Sequence, residues 1–92
     1  MTNSIDDTLN ERGSRYGDFK DHALITQSLK SEIQQGRSWP DLNPAQMEAL
    51  EMIAHKIGRI VNGDPNYRDS WDDIAGYARL ASDSCAEENN NG

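Results

Sequence analysis

The chain has 92 residues, a length that makes one small domain with a thin core. Nine Lys and Arg stand against 16 Asp and Glu, so the formal net charge is −7 at pH 7. This charge argues against general nucleic-acid binding, because phosphates are repelled at long range. Apolar residues make up 35% of the chain. That fraction supports a globular domain, yet it is low enough that a homodimer would supply burial the monomer lacks.

Cysteine content and hydropathy bear on the compartment. Cys85 is the only cysteine, so no disulfide can form within the chain and a reducing compartment is expected. No apolar run reaches the length of a membrane span, and the start MTNSIDDTLNERG lacks the basic and apolar segments of a signal peptide. We therefore expect a cytoplasmic protein without a membrane partner.

Residues 1–17 are predicted to form a polar N-terminal arm. Ser4 and Asp7 have the spacing of a helix cap, so a short N-terminal helix is an option here. Gly13 and Gly17 bracket a segment whose backbone can turn sharply. Arg15 and Tyr16, which lie between these glycines, have two interpretations. Either they bind a ligand, or they stabilise the fold, with Tyr16 packed on the helices and Arg15 paired with a carboxylate.

A helix is predicted from Asp18, its N-cap, to residue 35, with Gly36 as the stop. His22 lies on its inward face and is read as a hydrogen-bonded structural histidine, because no second His or Cys stands at ligand spacing from it. The other inward side chains are apolar. They are Phe19, Ile25, Leu29 and Ile33.

The strongest helical pattern covers residues 43–62. Asn43 is the predicted N-cap, Pro44 occupies the first helical position, and Gln46 completes a capping box. Gly63 marks the end. Apolar residues recur at the helical period and predict a stripe facing the core. The stripe consists of Met47, Leu50, Ile53, Ala54, Ile57, Ile60 and Val61.

A third helix is predicted over residues 70–82, capped by Asp69 or Ser70. Its apolar face is formed by Trp71, Ile74, Ala75, Ala78 and Ala81. Residues 84–92 end in EENNNG and are predicted to be a disordered tail. The predicted fold is therefore all-α, a small three-helix bundle in a helical domain over residues 18–83, with the short N-terminal helix as an optional addition.

Two acidic pairs are candidate metal ligands. Glu48 and Glu51 lie one helical turn apart, and Asp72 and Asp73 begin the next helix. Carboxylates on adjacent helices can hold Mg²⁺ against nucleotide phosphates. This layout resembles the nucleoside triphosphate pyrophosphohydrolases of the MazG type, although Glu48 and Glu51 point away from the apolar stripe. The competing interpretation is that these acids are solvated or cap a helix.

A second candidate site consists of cations and one aromatic ring. Its members are Arg12, Arg15, Tyr16, Lys56 and Arg59. In the functional interpretation Tyr16 stacks on a base while the cations meet phosphate. In the structural interpretation Lys56 or Arg59 pairs with Asp73 and fixes the register of the two helices.

The runs ERGSRYGDFKDHA and EALEMIAHKIGRIVNGDPNYRDSWDDIAGYARL resemble an uncharacterised family of small helical proteins encoded by tailed phages and prophages. The resemblance rests on an Arg-x-Tyr-Gly element, a Lys-x-x-Arg element on the central helix and a pattern on the last helix. The first element corresponds to Arg15 or its neighbours with Tyr16 and Gly17. The other two correspond to Lys56 and Arg59, and to Asp69, Asp73, Ile74, Gly76 and Tyr77. The resemblance implies a helical fold and a phage context. It implies no activity.

The leading functional hypothesis is a small phage-encoded accessory protein that works by binding in the host cytoplasm. Its expected partner is a host protein or protein complex, such as a CRISPR-Cas or nucleotide-signalling system, and no cofactor is required. One alternative is a Mg²⁺-dependent nucleotide pyrophosphohydrolase. The other is a protein that sequesters nucleotides through the cation and aromatic cluster.

Overall fold

The computed structural model describes residues 4–89, with the side chains of residues 4–85. Within this range it contains four α-helices and a single turn of 3-10 helix at Trp39–Asp41. The α-helices are α1 (Ser4–Tyr16), α2 (Phe19–Ile33), α3 (Pro44–Asn62) and α4 (Arg68–Asn89). No strand occurs in residues 4–89. The predicted all-α class is confirmed, and the optional N-terminal helix is present.

α3 is the central helix and begins and ends where its sequence pattern predicts. The Asn43 side chain accepts a hydrogen bond from the Gln46 amide, and the Gln46 side chain accepts one from the Asn43 amide, which closes a capping box. At the other end Gly63 is the C-cap residue. α3 packs against α2 and α4, while α1 makes fewer contacts with α2 and α3.

Three predicted boundaries need correction. The segment predicted as a polar arm, 1–17, contains α1, in which Thr8 and Ser14 donate hydroxyl hydrogen bonds to carbonyls of the preceding turn. α4 begins at Arg68, so Asp69 is the second helical residue and not the N-cap. α4 also continues to Asn89, past the predicted domain end at residue 83. Residues 90–92 of the predicted tail lie outside the described residues.

The packing of α4 explains why it extends beyond residue 83. Asn43 donates a hydrogen bond of 3.3 Å to the Ser84 hydroxyl, and Gln46 donates one of 3.1 Å to the Cys85 sulfur. Both donors belong to the start of α3, so α4 is held at residues 84 and 85 by the capping residues of another helix. These hydrogen bonds leave no trace in the hydrophobic pattern of the segment.

The core is thin and is built from small side chains. Among the described residues, the buried apolar ones are Ala49, Ala54 and Ile60, and no side chain is completely enclosed. Three members of the predicted α3 stripe, Leu50, Ile57 and Val61, are exposed. That part of the prediction was wrong, because periodicity identifies an apolar face but does not show which element covers it.

Close packing of α2 on α3 depends on Gly58. A Cβ atom at this position would overlap the Thr26 hydroxyl and crowd the His22 ring. Thr26 and His22 are both buried, and Thr26 is branched at Cβ, so neither can move aside at low cost. The absence of a side chain at residue 58 therefore sets the distance between the two helices.

We predict that Gly58→Ala lowers the free energy of unfolding by about 1–3 kcal/mol, because overpacking outweighs the gain of about 1 kcal/mol in helix propensity. Urea denaturation followed by circular dichroism at one protein concentration measures the change. Gly76→Ala is the matched control, since a Cβ on Gly76 in α4 meets nothing within 4 Å. The control should be stabilised by up to about 1 kcal/mol. Equal stabilisation of both variants would contradict the packing argument.

Candidate functional site

The corner between α1 and α2 is fixed on the end of α3. Gly17 has a φ of +79°, a left-handed conformation that suits glycine, and a Cβ there would strike the Asn62 carbonyl. The Asn62 side-chain amide donates hydrogen bonds of 2.9 Å to the carbonyls of Tyr16 and Asp18. The Asp64 amide donates one of 2.6 Å to the Arg15 carbonyl. These contacts hold the last turn of α1 beside α3.

A series of cation–π and ring–ring contacts joins the same corner to α3 and α4. The Arg59 guanidinium lies 4.1 Å from the centre of the Tyr16 ring. Tyr16 meets Tyr67 edge to face with 6.0 Å between ring centres, and Arg15 lies 4.8 Å from the Tyr67 ring centre. Such cation–π contacts contribute about 0.5–2 kcal/mol each. The Tyr67 hydroxyl donates to Asp69, and this hydrogen bond raises the pKa of Tyr67.

The two histidines of the chain meet between α2 and α3. His22 Nε2 and His55 Nδ1 are 3.4 Å apart, and the Thr26 hydroxyl lies 3.3 Å from His22 Nε2. Burial, together with the nearby positive charge of Arg59, lowers the pKa of His55 to about 4. Burial also lowers the pKa of His22, partly opposed by the Gly58 backbone. Both rings are therefore neutral at pH 7.

These groups surround a pocket of about 480 Å³, which we call the α1–α3 pocket. A volume of this size is within the range of small-molecule sites. Its lining is formed by Leu9, Arg12, Gly13, Tyr16, Gly17, Asp18, Phe19, His22, His55 and Arg59. Neither Arg12 nor Arg59 pairs with a carboxylate among residues 4–85.

One buried polar atom between α2 and α3 is unsatisfied. His22 is only 5% exposed, and its Nδ1 has no hydrogen-bond partner within the described part of the chain. This nitrogen lies beside Gly58 and therefore faces α3. The pocket itself combines two guanidinium groups that pair with no carboxylate among residues 4–85, the exposed carboxylate of Asp18 and exposed aromatic surface from Phe19.

The structure brings together three of the five residues predicted as a cation and aromatic cluster. Arg12, Tyr16 and Arg59 line the pocket. Arg15 does not, since its guanidinium pairs with Glu11 at 2.7 Å. Lys56 does not either, because its ammonium lies 2.8 Å from an Asp73 carboxylate oxygen and its side chain is only 12% exposed. Lys56 thus links α3 to α4.

The residues predicted for pairing or capping have separate roles. Asn43 caps α3, and Asp73 pairs with Lys56. Asp69 accepts the Tyr67 hydroxyl hydrogen bond. Tyr77 is half-buried and lines a shallow groove on α4 beside Asp73.

The four acids of the alternative metal site are not gathered. Glu48 is exposed, Asp72 lies 3.8 Å from Arg68, and Asp73 is bound to Lys56. Glu51 is half-buried on α3. No group of three or more His, Cys, Asp or Glu side chains within the described residues has the arrangement of a metal site. The geometry therefore does not support Mg²⁺ at these carboxylates.

Sequence reasoning missed the remaining side chains of the pocket. Phe19 was predicted to face the core, yet it is 76% exposed at the pocket. His22 was interpreted as a structural histidine, and His55 was not predicted as a site residue. One signal for the histidine pair was available in the sequence. The chain has two histidines, and they lie on two neighbouring predicted helices.

The fold and the site define an all-α protein with a cationic and aromatic pocket at one helix corner. The family model of a domain of unknown function, DUF6378, matches residues 3–85. The chain belongs to that family. No curated protein and no solved structure matches the chain. None of the helices within residues 4–89 is both long and apolar enough to cross a membrane.

The histidine pair predicts a pH dependence of stability. The pKa of His55 is near 6.5 in the unfolded chain and about 4 in the folded one. Above pH 6.5 the ring is neutral in both states. As the pH falls from 6.5 towards 4, only the unfolded state gains the proton, so the free energy of unfolding decreases.

Urea denaturation at several pH values tests this expectation. The wild type should lose stability between pH 6.5 and 4 more steeply than His55→Gln, which keeps a polar side chain but has no titrating ring. Comparison with the variant separates His55 from the carboxylates that titrate in the same range. Parallel curves for the two proteins would show that His55 does not contribute.

Proposed function

We propose that the chain is a binding protein whose ligand is a nucleotide, held in the α1–α3 pocket. The observation that carries the proposal is that two arginine side chains at the pocket do not pair with carboxylates. The chain has a net charge of −7, yet Arg12 and Arg59 reach one pocket without a carboxylate partner among residues 4–85. Guanidinium groups in this state are suited to bidentate contacts with phosphate.

The rest of the lining suits the ring of a nucleotide. Phe19 offers an exposed aromatic face, and Leu9 adds apolar surface on the other helix. Stacking of a base on an aromatic side chain contributes about 1–3 kcal/mol. The proposed ligand thus combines a phosphate with a flat polar ring.

The resemblance to phage proteins supports a setting for this binding. A phage-encoded accessory protein that holds a nucleotide messenger would inhibit a host nucleotide-signalling system without catalysis. This setting unites the expected role as an inhibitor of host defence with the sequestration hypothesis. It requires tight binding and slow release of the messenger, and it requires no metal ion.

We predict that a nucleotide binds more tightly than either of its parts alone. Isothermal titration calorimetry would compare adenosine triphosphate and cyclic di-adenosine monophosphate with adenosine and with inorganic pyrophosphate. Arg59→Gln should weaken nucleotide binding by about 10-fold or more, because a charge-assisted hydrogen bond contributes about 1.5–3 kcal/mol.

Arg79→Gln is the matched control for this experiment. Arg79 is an exposed arginine of α4 that pairs with Asp83 at 3.0 Å and is absent from the pocket lining. The control removes the same charge, so its nucleotide affinity should stay within about twofold of the wild type. Equal losses in both variants would assign the effect to net charge. Failure of every nucleotide to bind at millimolar concentration would refute the proposal.

A second candidate function is direct binding of a basic host protein, which a groove on α4 favours. This groove, of about 520 Å³, is lined by Asp72, Asp73, Gly76, Tyr77, Arg79 and Leu80. Leu80 is 63% exposed within it. An exposed apolar side chain in the same groove as two carboxylates is suited to a partner that presents an apolar contact next to basic groups.

Capture of host proteins on immobilised wild-type chain tests the second candidate. Leu80→Ser should lose the captured protein, and raised salt should release it from the wild type, because rim charges are screened. Leu24→Ser is the control, since Leu24 is similarly exposed but lies on α2. If no captured protein depends on Leu80, the groove has no such role.

A further inference from the structure

We infer that the chain forms a symmetric homodimer through the exposed apolar side chains of α3, Leu50, Ile57 and Val61, which we call the α3 stripe. The three residues recur at intervals of seven and four, so they lie along one side of the helix. Their exposed fractions are 39%, 37% and 64%. A row of large apolar side chains on the central helix is unusual for a protein that works as a monomer.

The neighbouring helix adds apolar and small residues to this surface. Leu50 lines one groove together with Ala78 and Ser82 of α4. Trp71 lies seven residues before Ala78 and thus on the same side of α4. Its indole N–H donates to the Pro65 carbonyl at 2.8 Å, while the side chain remains 54% exposed. An anchored, exposed tryptophan is a common centre of binding energy at an interface.

Over residues 71–82, one face of α4 carries no charge. Positions 71, 75, 78 and 82 follow this face of the helix and carry Trp, Ala, Ala and Ser. Asp73 pairs with Lys56 and Asp83 pairs with Arg79, so these two acids are engaged within the chain. Two copies can therefore meet at the uncharged face. A self-complementary uncharged patch fits a second copy of a chain that carries −7.

The exposed area of the chain matches the requirement of a dimer. A folded monomer of 10.3 kDa is expected to expose about 5,400 Å². The chain exposes 6723 Å². The chain is elongated, with principal-axis extents of 60 × 24 × 24 Å, and this shape accounts for part of the excess of about 1,300 Å². Each partner of a standard interface buries roughly 800 Å², so the chain exposes enough surface for a second copy.

Sedimentation equilibrium between 1 and 100 µM tests the dimer. The wild type should sediment at twice the chain mass, and Val61→Glu should raise the dimer dissociation constant by at least about 100-fold, because it places a charge in the apolar interface. Leu80→Glu is the matched control. It makes the same change at an equally exposed apolar residue on the other side of α4, so the dimer should persist.

A second measurement covers the case in which Val61→Glu fails to fold. The melting temperature of the wild type should rise with protein concentration if the folded state is a dimer. A wild type that is monomeric throughout the range, or a melting temperature independent of concentration, would overturn the inference. Persistence of the dimer in Val61→Glu together with its loss in Leu80→Glu would also overturn it, because the interface would then lie on the acidic side of α4.

Discussion

The close approach of α2 to α3 at Gly58 is the constraint on which the rest of the structure depends. Because no side chain stands at residue 58, Thr26 and His22 can lie directly against the α3 backbone. This approach brings His22 within 3.4 Å of His55, with the His22 ring buried and the His55 ring half-buried. It also places the start of α2, with Phe19, at the mouth of the pocket. The site is thus a consequence of one helix contact.

The hydrogen bonds of Asn62 at the α1–α2 corner are the second contact on which the pocket depends. The Asn62 side-chain amide holds two carbonyls of the α1–α2 connection, so α1 cannot swing away without loss of both hydrogen bonds. The Arg59 guanidinium then rests on the Tyr16 ring and is presented to the pocket. One helical turn before Arg59, Lys56 binds Asp73 and holds α4. Lys56 therefore links two helices, whereas Arg59 forms part of the pocket.

Local signals in the sequence were sufficient to predict the helices. They were insufficient to predict which residues of one helix contact which residues of another. The cap at Asn43 and the stop at Gly63 depend on adjacent residues, so α3 could be predicted within its observed limits. The end of α4 depends on hydrogen bonds from Asn43 and Gln46, which are some 40 residues away, and periodicity carries no such information. Likewise, Lys56 and Arg59 share a face by spacing, but only the position of Asp73 decides which of them is paired.

The α3 stripe and the α1–α3 pocket lie on opposite sides of the same helix. Arg59 is two residues from both Ile57 and Val61, a rotation of about 200° around the helix axis. A second copy seated on the stripe would therefore leave both pockets open and directed away from each other. The proposed dimer would supply the burial that small residues such as Ala49 and Ala54 cannot. Association would then stabilise the folded chain by mass action, and with it the packing of α2 on α3 on which the pocket depends.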